Sequence, residues 1–523
     1  MSARPLIVGT RGSRLALWQA EHIKARLQEA GHSTERRIIR TQGDRIQDLS
    51  FDKMEGKGFF TKEIEAELLA GTIDLAVHSC KDLETRDPEG LHIAAIAGRA
   101  AVEELLLIRR EAVDPQQPFM LRSGATVGTS SARRKAQLRM HRPDVAIADL
   151  RGNVPTRVEK LRAGNYDAIL LAKAGIDRLG LDLSDLHVRA LDPRWFVPAP
   201  AQGALAVQTR ATDPAANTAA AELHDEKAAL CVGLERAILY GYHGGCQVPL
   251  GVYARCAQGR YHLWVAAART WDAMPVRIFL QGNDAAALAQ EAVERCKRTP
   301  RSLRVLITRE AIPEGLLART LGAHGIAVEG LPLLEPEHIP FATVPAADRA
   351  FFTSRNAVRH FVQGGGRLSD RPCDAIGSGT AEELRKHGVE PAFIGDGPDT
   401  QAIAAEYVRL HGDTQVLFPC AEKGLRTVQQ ALPPGRAVDL HVYRMRSLDV
   451  RSVPDADVLI VTSPEHATVM HAARGLQNFA HCIAMGRSTA QRIKELSGAD
   501  ALVPWASNEP ALLDAVFHLA TAP

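Results

Sequence analysis

The chain has 523 residues, of which 46% are hydrophobic and 24% are charged, with eight cysteines and a formal net charge of +2. So long a chain exceeds a single hydrophobic core, and its near-neutral charge gives no sign of general nucleic-acid binding. The sequence has no apolar run of about 18 residues to span a membrane, and its cysteines lack the paired spacing of a disulfide framework or zinc ribbon.

Along the first half, short apolar runs rich in β-branched residues alternate with amphipathic helical stretches. The strand candidates "LIVGT" and "ATVGTSS" each precede such a stretch, and "DLAVHS" and "YDAILLA" have the same apolar character. This alternation predicts α/β layers with mainly parallel sheets. The apolar stretch beside the N-terminus is too short for a signal peptide, and together with the unpaired cysteines it favours a cytoplasmic location.

Two strand-to-helix turns share one pattern of glycine, hydroxyl and arginine residues. They are Val8–Thr10 followed by Arg11 and Ser13, and Val127–Thr129 followed by Ser130, Ser131 and Arg133. Helix N-termini expose backbone N–H groups and a positive dipole end, so both turns suit an anion. Simple N-capping by serine explains one copy equally well. Two copies, each with arginine, favour a pair of facing lobes that hold a polyanionic ligand.

Five arginines fall at predicted strand-to-helix turns or loop starts: Arg133, Arg134, Arg151, Arg157 and Arg178. Guanidinium groups bind carboxylates through two parallel hydrogen bonds, so this set suits a substrate with several carboxylates. Helix-end charges on a solvated surface are the alternative. Phosphate or RNA binding is disfavoured, because stacking aromatic residues do not interleave with these segments.

Two further positions could carry chemistry. Lys81 and Asp82 follow the strand candidate "DLAVHS", where a carboxylate can stabilise a developing cation or move a proton. An exposed Lys–Asp pair is the alternative, and the residues alone favour it. Cys246 lies in the glycine-rich stretch "GYHGGCQVP". An isolated thiol is usually structural, but the glycines before it allow close approach, so a covalent role stays open.

A basic, proline-containing segment, Arg295–Glu310, marks a boundary before a new strand and helix. Beyond it the chain repeats itself: Thr462 lies 109 residues after Thr353 in a similar block, and Thr489 lies 109 residues after Thr380 in another. A constant offset over several blocks predicts two similar α/β lobes. Their hydroxyl-rich strand ends lie where open α/β sheets bind ligands.

Eight stretches of the first half, in order, resemble the porphobilinogen deaminase (hydroxymethylbilane synthase) family. They are "GTRGSRLALWQA", "GKGFFTKEIE", "DLAVHSCKD", "VGTSSARR", "LRGNVPTR", "YDAILLAKAGIDRLGL", "AQGALAV" and "GGCQVPLG". The resemblance implies that four porphobilinogen units are joined on a dipyrromethane cofactor, each with loss of ammonia. Water would then release the linear tetrapyrrole.

The resemblance also assigns roles to residues. Cys246 would carry the dipyrromethane through a thioether, and Asp82 would contact the pyrrole nitrogens and stabilise positive charge after ammonia leaves. Arg178 matches a substrate-binding arginine, and Glu104 stands where the family usually has aspartate. The positions that match holders of cofactor or substrate acetate and propionate groups are Arg11, Ser13, Lys81, Thr129, Ser131, Arg133, Arg134, Arg151 and Arg157.

The second half resembles the uroporphyrinogen-III synthase family in "FFTSRNAV", "AIGSGTAEEL", "VYRMRS" and "VTSPEHA". This resemblance implies a two-lobed enzyme, without metal or cofactor, that closes hydroxymethylbilane with inversion of ring D. Tyr443 matches a tyrosine that could assist departure of the hydroxyl as water; a site that works mainly by folding the linear substrate is the account we favour. Met445 stands where threonine is usual. The hydroxyls expected to line the cleft are Thr353, Ser354, Thr380, Ser463 and Thr489.

The expected architecture has two halves. Residues 1–299 would form a deaminase of two periplasmic-binding-protein-like α/β lobes (about 1–99 with 201–217, and about 104–197) and a small cofactor-carrying α+β lobe (about 226–298). Residues 301–523 would form a synthase of two Rossmann-like lobes (about 302–335 with 441–523, and about 336–440). The chain would act on small molecules without nucleic acid or membrane, with a monomer as one expected state. Two alternatives stay open: a polycarboxylate-binding protein, and a deaminase whose C-terminal half is a degenerate scaffold.

Overall fold

The structure is a computed structural model that describes residues 4–41, 61–242, 248–395, 400–450 and 452–522. The chain divides into two compact units. The first comprises Met1–Asp114, Pro118–Thr299 and Thr521–Pro523, and the second comprises Pro115–Gln117 and Pro300–Ala520. Among the described residues, none of the helices combines the length and apolar character needed to cross a membrane.

The first unit contains thirteen strands among its described residues. They are β1 (Leu6–Arg11), β2 (Thr34–Ile39), β3 (Leu75–Ser79), β4 (Leu91–Arg99), β5 (Glu104–Arg109), β6 (Thr126–Gly128), β7 (Ala146–Ala148), β8 (Ala168–Ala172), β9 (Leu186–Leu191), β10 (Ala204–Arg210), β11 (Leu250–Ala257), β12 (Arg260–Ala267) and β13 (Val276–Gly282). The helices are α1 (Arg14–Glu29), α2 (Lys62–Leu69), α3 (Ala132–His141), α4 (Val154–Arg162), α5 (Lys173–Leu179), α6 (Pro214–Ala221), α7 (Glu226–Gly241) and α8 (Ala285–Lys297).

Two five-stranded sheets of similar design form the centre of this unit. Their strand orders are β2-β1-β3-β10-β4 and β7-β6-β8-β5-β9. In each sheet the strand next to one edge, β10 or β5, runs antiparallel to both of its neighbours. The chain leaves the first sheet after β4, builds the second with β5–β9 and returns as β10. We call the two sheets with their helices the first and second lobes. A third, antiparallel sheet has the order β11-β12-β13. The α/β fold class predicted from the sequence is confirmed.

The local sequence explains where two helices of the first unit, α1 and α4, begin. Ser13 caps α1 by accepting a hydrogen bond from the Ala16 N–H at 3.3 Å. Asn153 caps α4 in the same way through the Thr156 N–H at 3.0 Å. Pro155 occupies the first turn of α4, where the missing N–H of proline costs no hydrogen bond. These caps fix the start of each helix at the end of the preceding strand or loop.

The second unit continues the numbering. Its strands are β14 (Arg304–Ile307), β15 (Ala327–Gly330), β16 (Leu334–His338), β17 (Arg349–Phe352), β18 (Cys373–Ala375), β19 (Phe393–Ile394), β20 (Val416–Ala421), β21 (Ala437–Ser447), β22 (Val458–Val461) and β23 (His481–Ala484). Its helices are α9 (Leu316–Gly322), α10 (Arg355–Gln363), α11 (Ser378–Lys386), α12 (Thr400–His411), α13 (Thr427–Ala431), α14 (Pro464–Arg474), α15 (Arg487–Ser497) and α16 (Glu509–Ala520).

The internal repeat of the sequence corresponds to two sheets in this unit. One is parallel with the order β15-β14-β22-β23, and the other has the order β16-β21-β20-β17-β18-β19 with β16 antiparallel to β21. The blocks β17-α10-β18-α11 and β22-α14-β23-α15 follow the same sequence of elements. The long strand β21 carries Met445, whose side chain packs against the hydrophobic cores of both sheets. That shared packing gives a reason for an apolar residue at this position.

Candidate active sites

The residues after β3 place one carboxylate at the edge of the first lobe. A 3-10 turn, Cys80–Asp82, follows the strand directly. Cys80 is fully buried in a core cluster with Leu83, while Lys81 and Asp82 are half-buried. Because the turn is anchored by these two apolar neighbours, the Lys81 and Asp82 side chains are held at the strand end.

A basic cleft with a cavity volume of about 100 Å³ lies between the first and second lobes. Four cationic side chains line it: Lys81, Arg134, Arg157 and Arg178. Burial lowers the pKa of Lys81 and lowers that of Arg157 to about 10, while the Asp82 carboxylate raises both. No Asp or Glu is among the described residues that line the cleft. The cleft therefore holds an excess of partly desolvated positive charge, which suits a ligand with several carboxylates.

Arg133 and Arg134, predicted to hold ligand carboxylates, are both tied to one buried carboxylate. Glu104, at the start of β5, is fully buried and lies 2.6 Å from Arg133 Nη2 and 2.7 Å from Arg134 Nη2. Burial alone would raise the pKa of Glu104, but Arg134 and Arg133 lower it to about 2. The same arginines donate to the Val197 and Leu170 carbonyls.

The two arginines differ in what they offer to a ligand. Arg134 lines the basic cleft, and its Nε is buried without a hydrogen-bond partner. Arg133 is not among the lining residues. The geometry thus brings Arg134 to the cleft and gives Arg133 a supporting position behind it.

The remaining cationic residues lie on two helices, in a loop and at the end of a strand. Arg157 donates from Nε to the Gly152 carbonyl at 2.7 Å, and Arg151 lies close enough to lower the pKa of Arg157. Arg178, in the last turn of α5, donates to the Gly203 carbonyl at 2.6 Å. Arg11 ends β1 and helps to lower the pKa of the buried His78, for which burial is the larger cause, to about 4.

The predicted hydroxyl residues of this half act on the local backbone. Ser13 and Ser131 cap α1 and α3, and Thr129 accepts a hydrogen bond from the Ser131 N–H at 3.3 Å. Cys246, the predicted attachment point of the dipyrromethane, lies outside the described residues.

Sequence reasoning missed two polar residues that line the cleft, Ser79 and Gln202. Gln202 is fully buried and donates to the Val102 carbonyl at 2.8 Å, which joins the outbound and returning chain segments. Gln19 donates to Ser79 Oγ at 2.9 Å. Ser79 could have been found as the last residue of the strand "DLAVHS", whereas nothing in the local pattern marks Gln202.

In the second unit, Tyr443 and Ser354 come together. Their hydroxyl oxygens are 3.1 Å apart, and Ser354 also caps α10 by accepting from the Ala357 N–H at 3.1 Å. The Tyr443 ring stacks on His360 with centroids 5.4 Å apart. Burial raises the pKa of Tyr443, against an opposing effect of the Ser354 hydrogen bond. The phenol therefore keeps its proton at neutral pH and is available as a donor.

The other predicted hydroxyls occupy equivalent places at helix starts. Thr353 is half-buried beside Ser354, and Thr380 and Thr489 are almost fully buried in the first turns of α11 and α15. Ser463 caps α14, and its Oγ lies 2.6 Å from His466 Nδ1. The structure thus joins Ser354 to Tyr443 directly and assigns the other hydroxyls to the repeated strand-to-helix junctions.

One group of described residues in the second unit has metal-ligand chemistry: Cys420, Asp439 and His441, on the adjacent strands β20 and β21. Asp439 forms an ion pair with Arg426. Burial raises the pKa of the Cys420 thiol to about 12. A neutral thiol and an already paired carboxylate are poor starting points for cation binding.

Comparison with known proteins identifies the family to which the first half belongs. Residues 6–218 match the family model "Porphobilinogen deaminase, dipyromethane cofactor binding domain", and residues 229–273 match that of the deaminase C-terminal domain. The chain is 45% identical to a porphobilinogen deaminase from Nitratiruptor sp. over 249 residues, which are 48% of this chain and 78% of that protein. The chain belongs to the porphobilinogen deaminase family. A deaminase from Streptococcus sanguinis is 40% identical over 291 residues, or 55% of this chain and 94% of that protein.

The second half matches a different family. Residues 315–514 match the model "Uroporphyrinogen-III synthase HemD". A solved uroporphyrinogen-III synthetase from Helicobacter pylori aligns with 42% of this chain and 99% of its own, at 19% identity and a TM-score of 0.32. One from Thermus thermophilus aligns with 42% and 100%, at 18% identity and a TM-score of 0.23. The chain thus combines a transferase half and a lyase half of tetrapyrrole biosynthesis, and the predicted pair of families is confirmed.

Proposed function

We propose that the basic cleft is where porphobilinogen units are joined, on a dipyrromethane attached to Cys246. The observation that carries this proposal is the convergence of Lys81, Arg134, Arg157 and Arg178 on one cleft beside Asp82. Each pyrrole ring of the substrate carries two carboxylates. A growing chain therefore needs several cations within reach, and the cleft supplies them from both lobes.

The donor chemistry of the cleft fits the dipyrromethane. Lys81, Arg134 and Arg157 would hold its acetate and propionate groups, and the unpaired Nε of Arg134 is a buried donor that an additional acceptor would satisfy. When bound, the group supplies a primer whose terminal ring carries the carbon nucleophile for the first coupling.

Asp82 is the residue proposed to act on the reacting ring. Its carboxylate would accept a hydrogen bond from the pyrrole N–H of the incoming unit and stabilise the positive charge that develops there as ammonia leaves. Lys81 and Arg157 lie close enough to Asp82 for its negative charge to raise their pKa values, against the larger effect of burial. The same carboxylate would receive the proton that the new ring loses.

For the second half we propose cyclisation of hydroxymethylbilane by a site that mainly folds the substrate. Tyr443, paired with Ser354, would donate a proton to the departing hydroxyl. Its contribution is secondary, since bringing the two ends of a linear chain together accounts for most of the advantage. Joining both halves in one chain would raise the local concentration of the intermediate at the second site. A cytoplasmic location and a monomeric state remain predictions.

Intact mass measurement tests the covalent primer. Purified wild-type chain is expected to exceed its sequence mass by two pyrrole units, and Cys246→Ser is expected to show the sequence mass alone. A bare wild-type mass that does not increase after incubation with porphobilinogen would contradict the proposal. Gain of the same mass by Cys246→Ser would place the attachment elsewhere.

A further inference from the structure

Trp18 is a large aromatic side chain left partly open to solvent in the first lobe. It lies on α1, and its indole is 38% exposed. The ring stacks on His22, one turn further along the same helix, with centroids 5.1 Å apart and planes 7° from parallel. The sequence pattern gives Trp18 no role beyond its place in an amphipathic helix.

The Trp18 ring meets a cation from the second lobe. Arg178 Cζ lies 5.7 Å from the ring centroid, within the distance at which a guanidinium is attracted to an aromatic face. Arg178 belongs to α5, which packs against α1. The contact therefore joins a helix of one lobe to a cleft-lining cation of the other.

Among the described residues, Arg178 makes a single hydrogen bond, to a backbone carbonyl where the two chain crossings meet. The Gly203 carbonyl accepts from Arg178 at 2.6 Å and from the Ala100 N–H at 3.0 Å. Gly203 has φ +85, and a Cβ there would lie 2.5 Å from the Ala100 carbonyl oxygen, so only glycine fits. No carboxylate forms an ion pair with Arg178 among the described residues.

A guanidinium held at one N–H keeps several donors for a ligand, but its long side chain has many rotamers to lose on binding. A flat ring beside it removes part of that freedom beforehand. Because Trp18 neither donates to nor neutralises the cation, the full charge remains available to a carboxylate.

We propose that Trp18 is a positioning residue for Arg178, so that the first lobe orients the cation with which the second lobe binds a porphobilinogen carboxylate. The inference rests on the proposed function of the cleft. It adds an aromatic residue beside a cleft whose other proposed ligand-binding side chains are cations.

Steady-state kinetics of the primer-loaded chain test this proposal. Trp18→Leu is expected to raise KM for porphobilinogen about two- to five-fold, the range of an exposed cation–π contact, with kcat within about two-fold of wild type. Trp18→Phe keeps a ring and is expected to restore most of the KM. A purely structural role would respond to side-chain volume instead, and Leu and Phe would then behave alike.

Trp271 provides a matched control. It is also 38% exposed and has Lys135 and Arg139 over its ring, but neither of these cations lines the cleft, whereas Arg178 does. Trp271→Leu is expected to leave KM unchanged. An equal rise in KM in the two Leu variants would overturn the proposal, because it would reflect a general loss of stability.

A double-mutant cycle completes the test. In an Arg178→Ala background, Trp18→Leu is expected to have no further effect on KM, because the group it positions is gone. An additive effect, or an unchanged KM in Trp18→Leu alone, would overturn the inference. Failure of the proposed function is separate, since the wild-type chain would then lack the primer mass and release no ammonia from porphobilinogen.

Discussion

The two candidate sites are built on different physical principles. The basic cleft of the deaminase half concentrates cations that burial partly desolvates, with Asp82 as the nearby carboxylate. The candidate site of the synthase half has one buried phenol, Tyr443, hydrogen-bonded to Ser354 at the start of α10, with similar hydroxyls at the starts of other helices. In the proposed account, charge directs the first reaction, and folding of the linear substrate directs the second. Substitutions of single residues should therefore damage the deaminase half much more than the synthase half.

The largest effect is expected on stability, from the carboxylate behind the cleft. Glu104→Gln would leave Arg133 and Arg134 buried without their shared counter-charge, a loss of about 3–5 kcal/mol in the free energy of unfolding. Chemical denaturation followed by a probe in the first unit measures it. Glu111→Gln, which breaks a more exposed pair with Arg109, is the control and should cost less than about 1 kcal/mol.

The pH dependence of this contribution has a definite sign. The pKa of Glu104 is lowered to about 2 in the folded protein, against about 4.3 in an unfolded chain. Its stabilisation is therefore complete above about pH 4.3 and is lost as the pH falls towards 2. Glu104→Gln should remove that part of the acid dependence, and an unchanged acid profile would show that the pair contributes little.

The largest effect on rate is expected at Asp82. Asp82→Asn removes the charge that would stabilise the reacting ring, and kcat for ammonia release should fall about 10²- to 10³-fold. Retention of the primer mass in the variant would show that the cofactor site survives. Asp185→Asn, at an exposed ion pair with Arg162, should be silent. A fall of less than about three-fold in Asp82→Asn would remove Asp82 from the mechanism.

A smaller effect is expected from a cleft cation. Arg157→Leu removes one charge-assisted contact with a carboxylate, so KM for porphobilinogen should rise about ten-fold or more. Arg162, at the end of the same helix, has its guanidinium paired with Glu159 and Asp185. Arg162→Leu is therefore the matched control, and equal kinetics in the two variants would contradict a carboxylate role for Arg157.

The smallest effect is expected at Tyr443. If folding of the substrate dominates, Tyr443→Phe should slow formation of the type III product by less than about three-fold. A general-acid role of full strength would instead cost about 10²-fold or more. The rate of uroporphyrinogen III formation from added hydroxymethylbilane separates the two, and the larger loss would make the synthase site as dependent on single residues as the deaminase cleft.

The sequence predicted the fold class and the main features of the cleft because these depend on local patterns. Ser13 and Ser131 mark helix starts, and the position of Asp82 follows from the end of a buried strand. Contacts between residues far apart in the chain could not be predicted, because the sequence around each residue does not indicate its partner. Glu104 bonds to arginines about thirty positions away, and Trp18 meets Arg178 only because the chain crosses between the lobes. For the synthase half, the repeat predicted the two lobes, but the Ser354–Tyr443 contact depends on tertiary structure.

The product made by the chain alone tests the central claim that both halves act. Purified protein supplied only with porphobilinogen should yield mainly uroporphyrinogen III, identified after oxidation by separation of the porphyrin isomers. Accumulation of the type I isomer, at the rate of spontaneous closure, would contradict the account. The second half would then be a scaffold attached to an active deaminase.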